Sequence, residues 1–219
     1  MQSSQPLLGK GKGLQIFGED DQAPSSYQEE GWDGVKYLRV VMSERRMVVA
    51  LADCPARRVP DGTPITIPQD TFVTITQALG GNYTVTYHGQ MVRVDGTDAD
   101  KLGLESETIN FPEPTDDKII ESQVWQALGS VFDPEIPVDL VNLGLIYGVK
   151  VDQEKKHVDI QMTLTAPACG MGPVLVGDVE YRVRKVPNVK SVKVELVFDP
   201  PWARHMMSEE AQLETGMFF

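Results

Sequence analysis

Cysteine is scarce. The 219 residues contain two, Cys54 and Cys169, far apart in the chain. Two cannot form the disulfide framework of a small secreted protein, and neither has a second Cys close by to make a local zinc-ligand pair. A reducing compartment is the simpler expectation. Long apolar runs are missing too. The longest, Met47 to Ala52, is far too short to span a bilayer. The N-terminus, MQSSQPLLGKGKG, lacks the apolar stretch of a secretory signal, so the expected location is the cytoplasm. Basic charge is in deficit, with 20 Lys and Arg against 32 Asp and Glu and a net charge of -12. A nucleic-acid partner needs a basic field to displace counterions, and anionic lipid makes a similar demand. Neither nucleic acid nor membrane is expected, whereas a basic protein partner suits the charge. Recognisable catalytic motifs are absent. GKGKG at residues 9–13 lacks the flanking strand and the GK[ST] ending of a phosphate loop. The histidines at 88, 157 and 205 are isolated, with no metal-ligand partner at helix or turn spacing.

What is present reads as a soluble globular chain, 41% hydrophobic and 24% charged. Its length allows one large domain or two small ones, at ~100–200 residues each. Residues 1–45 mix Gly, Ser, Gln and acids without a sustained period; they are expected to be a partly disordered extension with a strand near Val35–Met42. Residues 46–103 change to short β-branched runs, MVVALA, TPITI, TFVTITQ, YTVTY and MVRV, separated by Gly-containing turns. They predict a small all-β domain, a barrel or a sandwich, in which YTVTY and MVRV form a hairpin and Asp98–Leu102 a helical turn before Gly103. Residues 104–115, LESETINFPEPT, have the composition of a linker.

Residues 116–219 predict an α/β domain in the order α-β-β-α-β-α with a three-stranded mixed sheet. Asp116-Asp117 can cap a helix running to about Ser130, with Ile120, Val124, Leu128 and Val131 at helical spacing. Leu145–Val151 reads as a strand, and His157–Leu164 alternates with Val158, Ile160, Met162 and Leu164 on one face. Gly172–Val186 is the next helix, with Pro173 in its first turn. Val192, Val194, Leu196 and Phe198 alternate in a third strand, and Ser208 opens a final short helix. The first two strands share a tight turn and should be antiparallel. The second and third are joined by a helix and should be parallel, through a right-handed crossover.

That topology brings three unusual segments to one rim: DPEIPVDLVNLG at 133–144, TAPACGMGP at 165–173 and DPPW at 199–202. In small α/β domains such a rim is where ligands bind. Cys169 sits just before a helix N-terminus, where the dipole and free N–H groups favour a thiolate. Gly170 and Gly172 would permit close backbone approach and unusual dihedrals. A thiol on such a turn suits a soft metal or nucleophilic attack. The competing reading is a small buried Cys without chemistry; the Pro/Gly setting favours the functional thiol. One Cys cannot complete a tetrahedral iron or zinc site. A held cluster would take its other ligands from a second subunit, as in a homodimer, from a small thiol, a partner protein or the rim carboxylates. Asp133, Glu135 and Asp139 could ligate metal or act as acid and base, or simply build the loop. Thr165 could hydrogen-bond the Cys169 loop, Trp202 could form a lid or fill the core, and His205 adjoins the rim. Cys54, beside Asp53, reads as structural, although a site shared with Cys169 stays open.

DPEIPVDLVNLGLIY, MTLTAPACGMGP and FDPPW, in that order, resemble the domain family shared by SufT, the accessory protein PaaD and a eukaryotic cytosolic iron–sulfur targeting factor, over about residues 116–219. DCPARRVPDGTPITIP, VTITQALGGNYTV and GTDADKLG look like the N-terminal part of the SufT proteins and extend the resemblance to about residues 46–219. It implies a non-enzymatic factor for iron–sulfur cluster assembly or transfer, with Cys169 as the reactive cysteine and the DPE loop at 133–135 as its companion. The implied cargo is a labile iron–sulfur cluster, with no other cofactor; the implied partners are assembly and carrier proteins and apo-protein clients. A metal-free adaptor that docks assembly proteins onto clients, and a thiol-dependent enzyme, are the alternatives.

Overall fold

The computed structural model describes residues 45–79, 81–167 and 169–216; the expected strand near Val35–Met42 lies outside them. The described residues form one unit. Its first half is a six-stranded antiparallel sheet built from β1 (Arg46–Val49), β2 (Cys54–Arg58), β3 (Pro64–Ile67), β4 (Phe72–Leu79), β5 (Asn82–Tyr87) and β6 (Gln90–Val94), in the order β1-β4-β5-β6-β2-β3. The predicted barrel or sandwich is therefore a single open sheet with β1 and β3 at its edges. The hairpin expected from YTVTY and MVRV is β5–β6, turning at His88 and Gly89, both with positive φ as a type I′ turn requires. A 3-10 helix at Gly96–Leu102 follows, capped by the Asp95 carboxylate on the Thr97 N–H and closed by Gly103 in the left-handed region.

The second half has the expected order: α1 (Glu121–Leu128), β7 (Ile146–Asp152), β8 (His157–Met162), α2 (Gly172–Val183), β9 (Ser191–Leu196) and α3 (Glu209–Thr215). The sheet runs β7-β8-β9, antiparallel then parallel. Val158, Ile160, Met162 and Leu164 all enter the core, as their alternation predicts. Met162 pairs with Ile146 on one side and Leu196 on the other. The start of β7 and the ends of β8 and β9 thus share one edge.

α1 begins later than Asp116-Asp117 suggests, at Glu121 with Ile120 as its N-cap. Residues 116–119 are drawn into tertiary contacts instead. Gln153 accepts from the Ile119 N–H at 2.9 Å and donates to its carbonyl at 2.8 Å, and Lys156 pairs with Asp117 at 3.1 Å.

The two halves are joined along α2 by charge. Arg182 is fully buried. Its Nε donates to Asp95 Oδ2 at 2.6 Å, Nη2 reaches Asn82 Oδ1 at 3.2 Å, and Nη1 and Nη2 both reach Glu107 Oε2 at 3.3 Å. One turn earlier the signs reverse: Asp178 of α2 faces Arg93 of β6, 2.9 Å from carboxylate oxygen to Nε, with Arg57 at 3.9 Å. Burial pushes the Asp178 carboxyl up to about 6, against the pull of Arg93. One turn later Tyr181 donates to Asp98 Oδ2 at 2.5 Å, and Lys185 meets Asp98 and Thr97. Burial would raise Asp98, but hydrogen bonds from Lys101 and Tyr181 outweigh it and hold the carboxyl below its ordinary range. Gly177 lets the Arg57 guanidinium lie against α2, since a Cβ there would lie 2.7 Å from it. Desolvating such pairs costs several kcal/mol per ion and offsets much of their mutual attraction. Removing one partner leaves a buried charge uncompensated. Arg182→Ala is expected to lower the unfolding free energy by about 3–5 kcal/mol, measured by urea denaturation; a loss under about 1 kcal/mol, the size of an ordinary surface change, would contradict this role.

Candidate functional site

The three segments leave the shared sheet edge, and two of them, 133–144 and 199–202, are tied to each other directly. The Thr163 N–H donates to the Leu145 carbonyl at 2.8 Å and the Val197 N–H to the Met162 carbonyl at 2.9 Å, extending the ladder beyond the strands. The Trp202 indole donates to the Leu143 carbonyl at 2.8 Å, tying the 199–202 segment to the 133–144 loop. The Tyr147 hydroxyl donates to the Pro200 carbonyl at 2.9 Å, and the Ser208 N–H to the Asn142 carbonyl at 2.8 Å. Gly144 sits at the closest approach. Its φ is 68°, and a Cβ there would lie 2.2 Å from the Met206 carbonyl oxygen, so only glycine fits.

Asp133 and Asp139 are both buried, and their oxygens turn toward the backbone. Asp133 Oδ1 accepts from the N–H groups of Glu135 and Ile136 at 2.8 and 2.9 Å. Asp139 Oδ1 accepts from Val141 and Asn142 at 3.0 and 2.9 Å, and its Oδ2 from the Asn142 amide at 2.6 Å. These are loop-building carboxylates. Glu135 is exposed, and only its N–H joins that network. Trp202 both packs on the core and bridges two loops.

Cys169 stands in the turn before α2. Its N–H donates to the Ala166 carbonyl and its carbonyl accepts from the Gly172 N–H, each at 3.1 Å. The side chain is half-buried, a free thiol against the same apolar cluster as Ile136, Val141 and Trp202. Among the described residues its sulfur has no hydrogen-bond partner, and neither Thr165 nor His205, exposed in the turn Arg204–Met206, bonds to it. Gly172 allows close packing, for a Cβ would lie 2.9 Å from Leu164 Cδ1. Gly170 does not play the part expected of it: a Cβ there would meet nothing, and its φ is not in the left-handed region. Sequence reasoning missed Tyr147, Asn142 and Thr163, whose hydroxyl is buried without a partner at the base of the Cys169 loop. The Tyr147 hydroxyl finds its acceptor 53 residues away, and the Asn142 carbonyl accepts from the N–H of Ser208, so no local pattern marks these contacts.

Cys54 lies apart, fully buried in the core of the six-stranded sheet. Burial, and then the charge of Asp98, push its thiol up to about 12, so it stays protonated at neutral pH. The acid that matters is Asp98 rather than the adjacent Asp53. Among the described residues, no group of three or more His, Cys, Asp or Glu is gathered closely enough to hold a metal ion.

Residues 121–196 match the family described as iron-sulfur cluster assembly protein. A Porphyromonas gingivalis protein named Fe-S protein maturation auxiliary factor is 47% identical over 96 residues, which are 44% of this chain and 90% of that one. This chain belongs to the iron–sulfur cluster assembly protein family. The family resemblance read from the sequence is borne out by a second relative, the Staphylococcus aureus Fe-S protein maturation auxiliary factor SufT, 40% identical over 87 residues, 40% of this chain and 98% of that protein. A crystal structure of a domain of unknown function, DUF59, from Bacillus anthracis is 39% identical, covering 44% of this chain and 92% of that one, with a TM-score of 0.42. The family match falls wholly in the three-stranded half, and the six-stranded sheet lies outside it.

The two thiols should differ sharply in reactivity. Iodoacetamide applied to the native chain near pH 7.5 is expected to label Cys169 alone, and Cys54 only after denaturant is added, read by intact mass and peptide mapping. Comparable labelling of Cys54 in the native chain would contradict its burial.

Proposed function

We propose that this chain is a non-enzymatic accessory factor in iron–sulfur protein maturation, acting in the cytoplasm and passing a cluster to apo-proteins through the Cys169 thiol. The observation that carries the reading is a half-buried free thiol before α2, flanked by loops fixed through their own hydrogen bonds, in a chain of this family. The names of the relatives, Fe-S protein maturation auxiliary factors, support an accessory role. Among the described residues no helix is long and apolar enough to cross a membrane.

A single sulfur supplies one of the ligands an iron centre needs. The rest come from a donor, a small thiol or a second copy of the chain. Transfer is ligand exchange: Cys169 gives up its proton and bonds to iron as a donor thiolate leaves and is reprotonated. An acceptor thiolate then displaces Cys169 in the same way, and no electrons change hands. A site completed from outside holds its cargo loosely, which suits delivery over storage.

The net charge of -12 carries a second reading, in which the rim and acidic surface dock assembly and carrier proteins onto clients with no metal on this chain. One anaerobic experiment separates the two. The chain is incubated with a cluster-loaded scaffold protein and re-isolated for iron, sulfide and visible absorption, and activation of an apo-protein is followed in parallel. The native chain is expected to carry cluster and speed activation, and Cys169→Ala to lose both. If Cys169→Ala speeds activation equally while neither chain carries cluster, the thiol reading fails and the adaptor stands.

A further inference from the structure

A cavity of about 410 Å³ opens between the six-stranded sheet and α2, within the range of small-molecule sites. Arg57 and Arg93 line it beside Asp178 and Tyr181, and its apolar wall includes Pro64 and Ile65. The charges there do not balance. Asp95 is committed to Arg182 at 2.6 Å, which among the described residues of the cavity lining leaves Asp178 as the carboxylate facing two guanidinium groups.

Arg93 is the informative residue. It is only 5% exposed. Its Nε lies 2.9 Å from Asp178 Oδ2 without the alignment of a hydrogen bond, and its Nη2 is buried with no partner. Arg182, in the same interface, has acceptors at every nitrogen. A guanidinium has five donors and no means of losing its charge, and a buried donor left unmet costs more than an ordinary hydrogen bond contributes. One buried arginine thus has an acceptor at each nitrogen, and its neighbour at the cavity wall lacks one at Nε and at Nη2. Arg57 adds a second planar donor group, held over the Tyr181 ring at 5.8 Å and close to Asp178. Two guanidinium forks beside an apolar wall suit a carboxylate or phosphate group on a small organic body.

We propose that this cavity binds a small organic oxyanion, its charged head accepted by Arg93 and Arg57 and its body lying against Pro64 and Ile65. The site uses neither Cys169 nor the rim loops, so it stands or falls apart from the function proposed above.

The test is isothermal titration of the full chain with phenyl phosphate, benzoate and inorganic phosphate at ionic strength fixed with sodium chloride. Saturable 1:1 binding of phenyl phosphate or benzoate, tighter than inorganic phosphate, is expected, and the stronger of the two identifies the head group. Arg57→Gln is expected to weaken that binding about tenfold or more, as loss of a charged hydrogen bond does. Arg58→Gln makes the same change in charge on a residue outside the cavity lining and is expected to leave binding unchanged. Thermal melts of both variants check that they fold. No saturable binding to the native chain, or equal weakening by the two variants, would overturn the site and leave a water-filled gap in the interface.

Discussion

The burial of Arg182 is the constraint on which the rest of the structure depends. A guanidinium removed wholly from water must find acceptors in fixed directions. Here they come from three places in the first half of the chain, Asn82, Asp95 and Glu107. Two of the three are in turn fixed. Asn82 also accepts from the Gly96 N–H, and Asp95 also caps the 3-10 helix. The helix that carries Arg182 cannot rotate or slide without breaking this set, and the reversed pairing of Asp178 with Arg93 excludes a shifted register, which would oppose like charges.

This matters for the thiol because α2 begins three residues after it. The turn that presents Cys169 is closed by bonds to Ala166 and Gly172. Its position follows from the helix, and the helix from the charged interface. The opposite side of the rim is fixed by different means, through carboxylates that satisfy backbone N–H groups and a tryptophan that reaches a carbonyl. The result is a half-buried thiol in a turn closed by its own hydrogen bonds, and among the described residues no cluster of metal ligands is gathered.

Much of this was legible in the sequence. The alternation of Val158, Ile160, Met162 and Leu164 fixes a face, and the two connection types fix the strand directions, so the departure of the three loops from one sheet edge follows from topology alone. The position of the rim acids was readable, but their orientation was not: Asp133 and Asp139 look like ligands in one dimension and prove to be loop braces, because nearby N–H groups claim their oxygens first. β2 escaped notice because Arg57 and Arg58 disguise its alternation, and α1 was placed too early because Gln153, over thirty residues away, holds Ile119 out of the helix. The interface was the least legible part. Nothing around Arg182 hints that its partner is Asp95, 87 residues earlier.

Native-state hydrogen exchange across a denaturant series tests the central claim most directly. If the buried pairs join α2 to the sheet as one cooperative element, the amides of Val179–Val183 and those of β6 exchange through the same opening, with equal free energies and equal denaturant dependence. Exchange of the α2 amides at a clearly lower free energy than β6 would mean that the helix opens on its own, and would contradict the account.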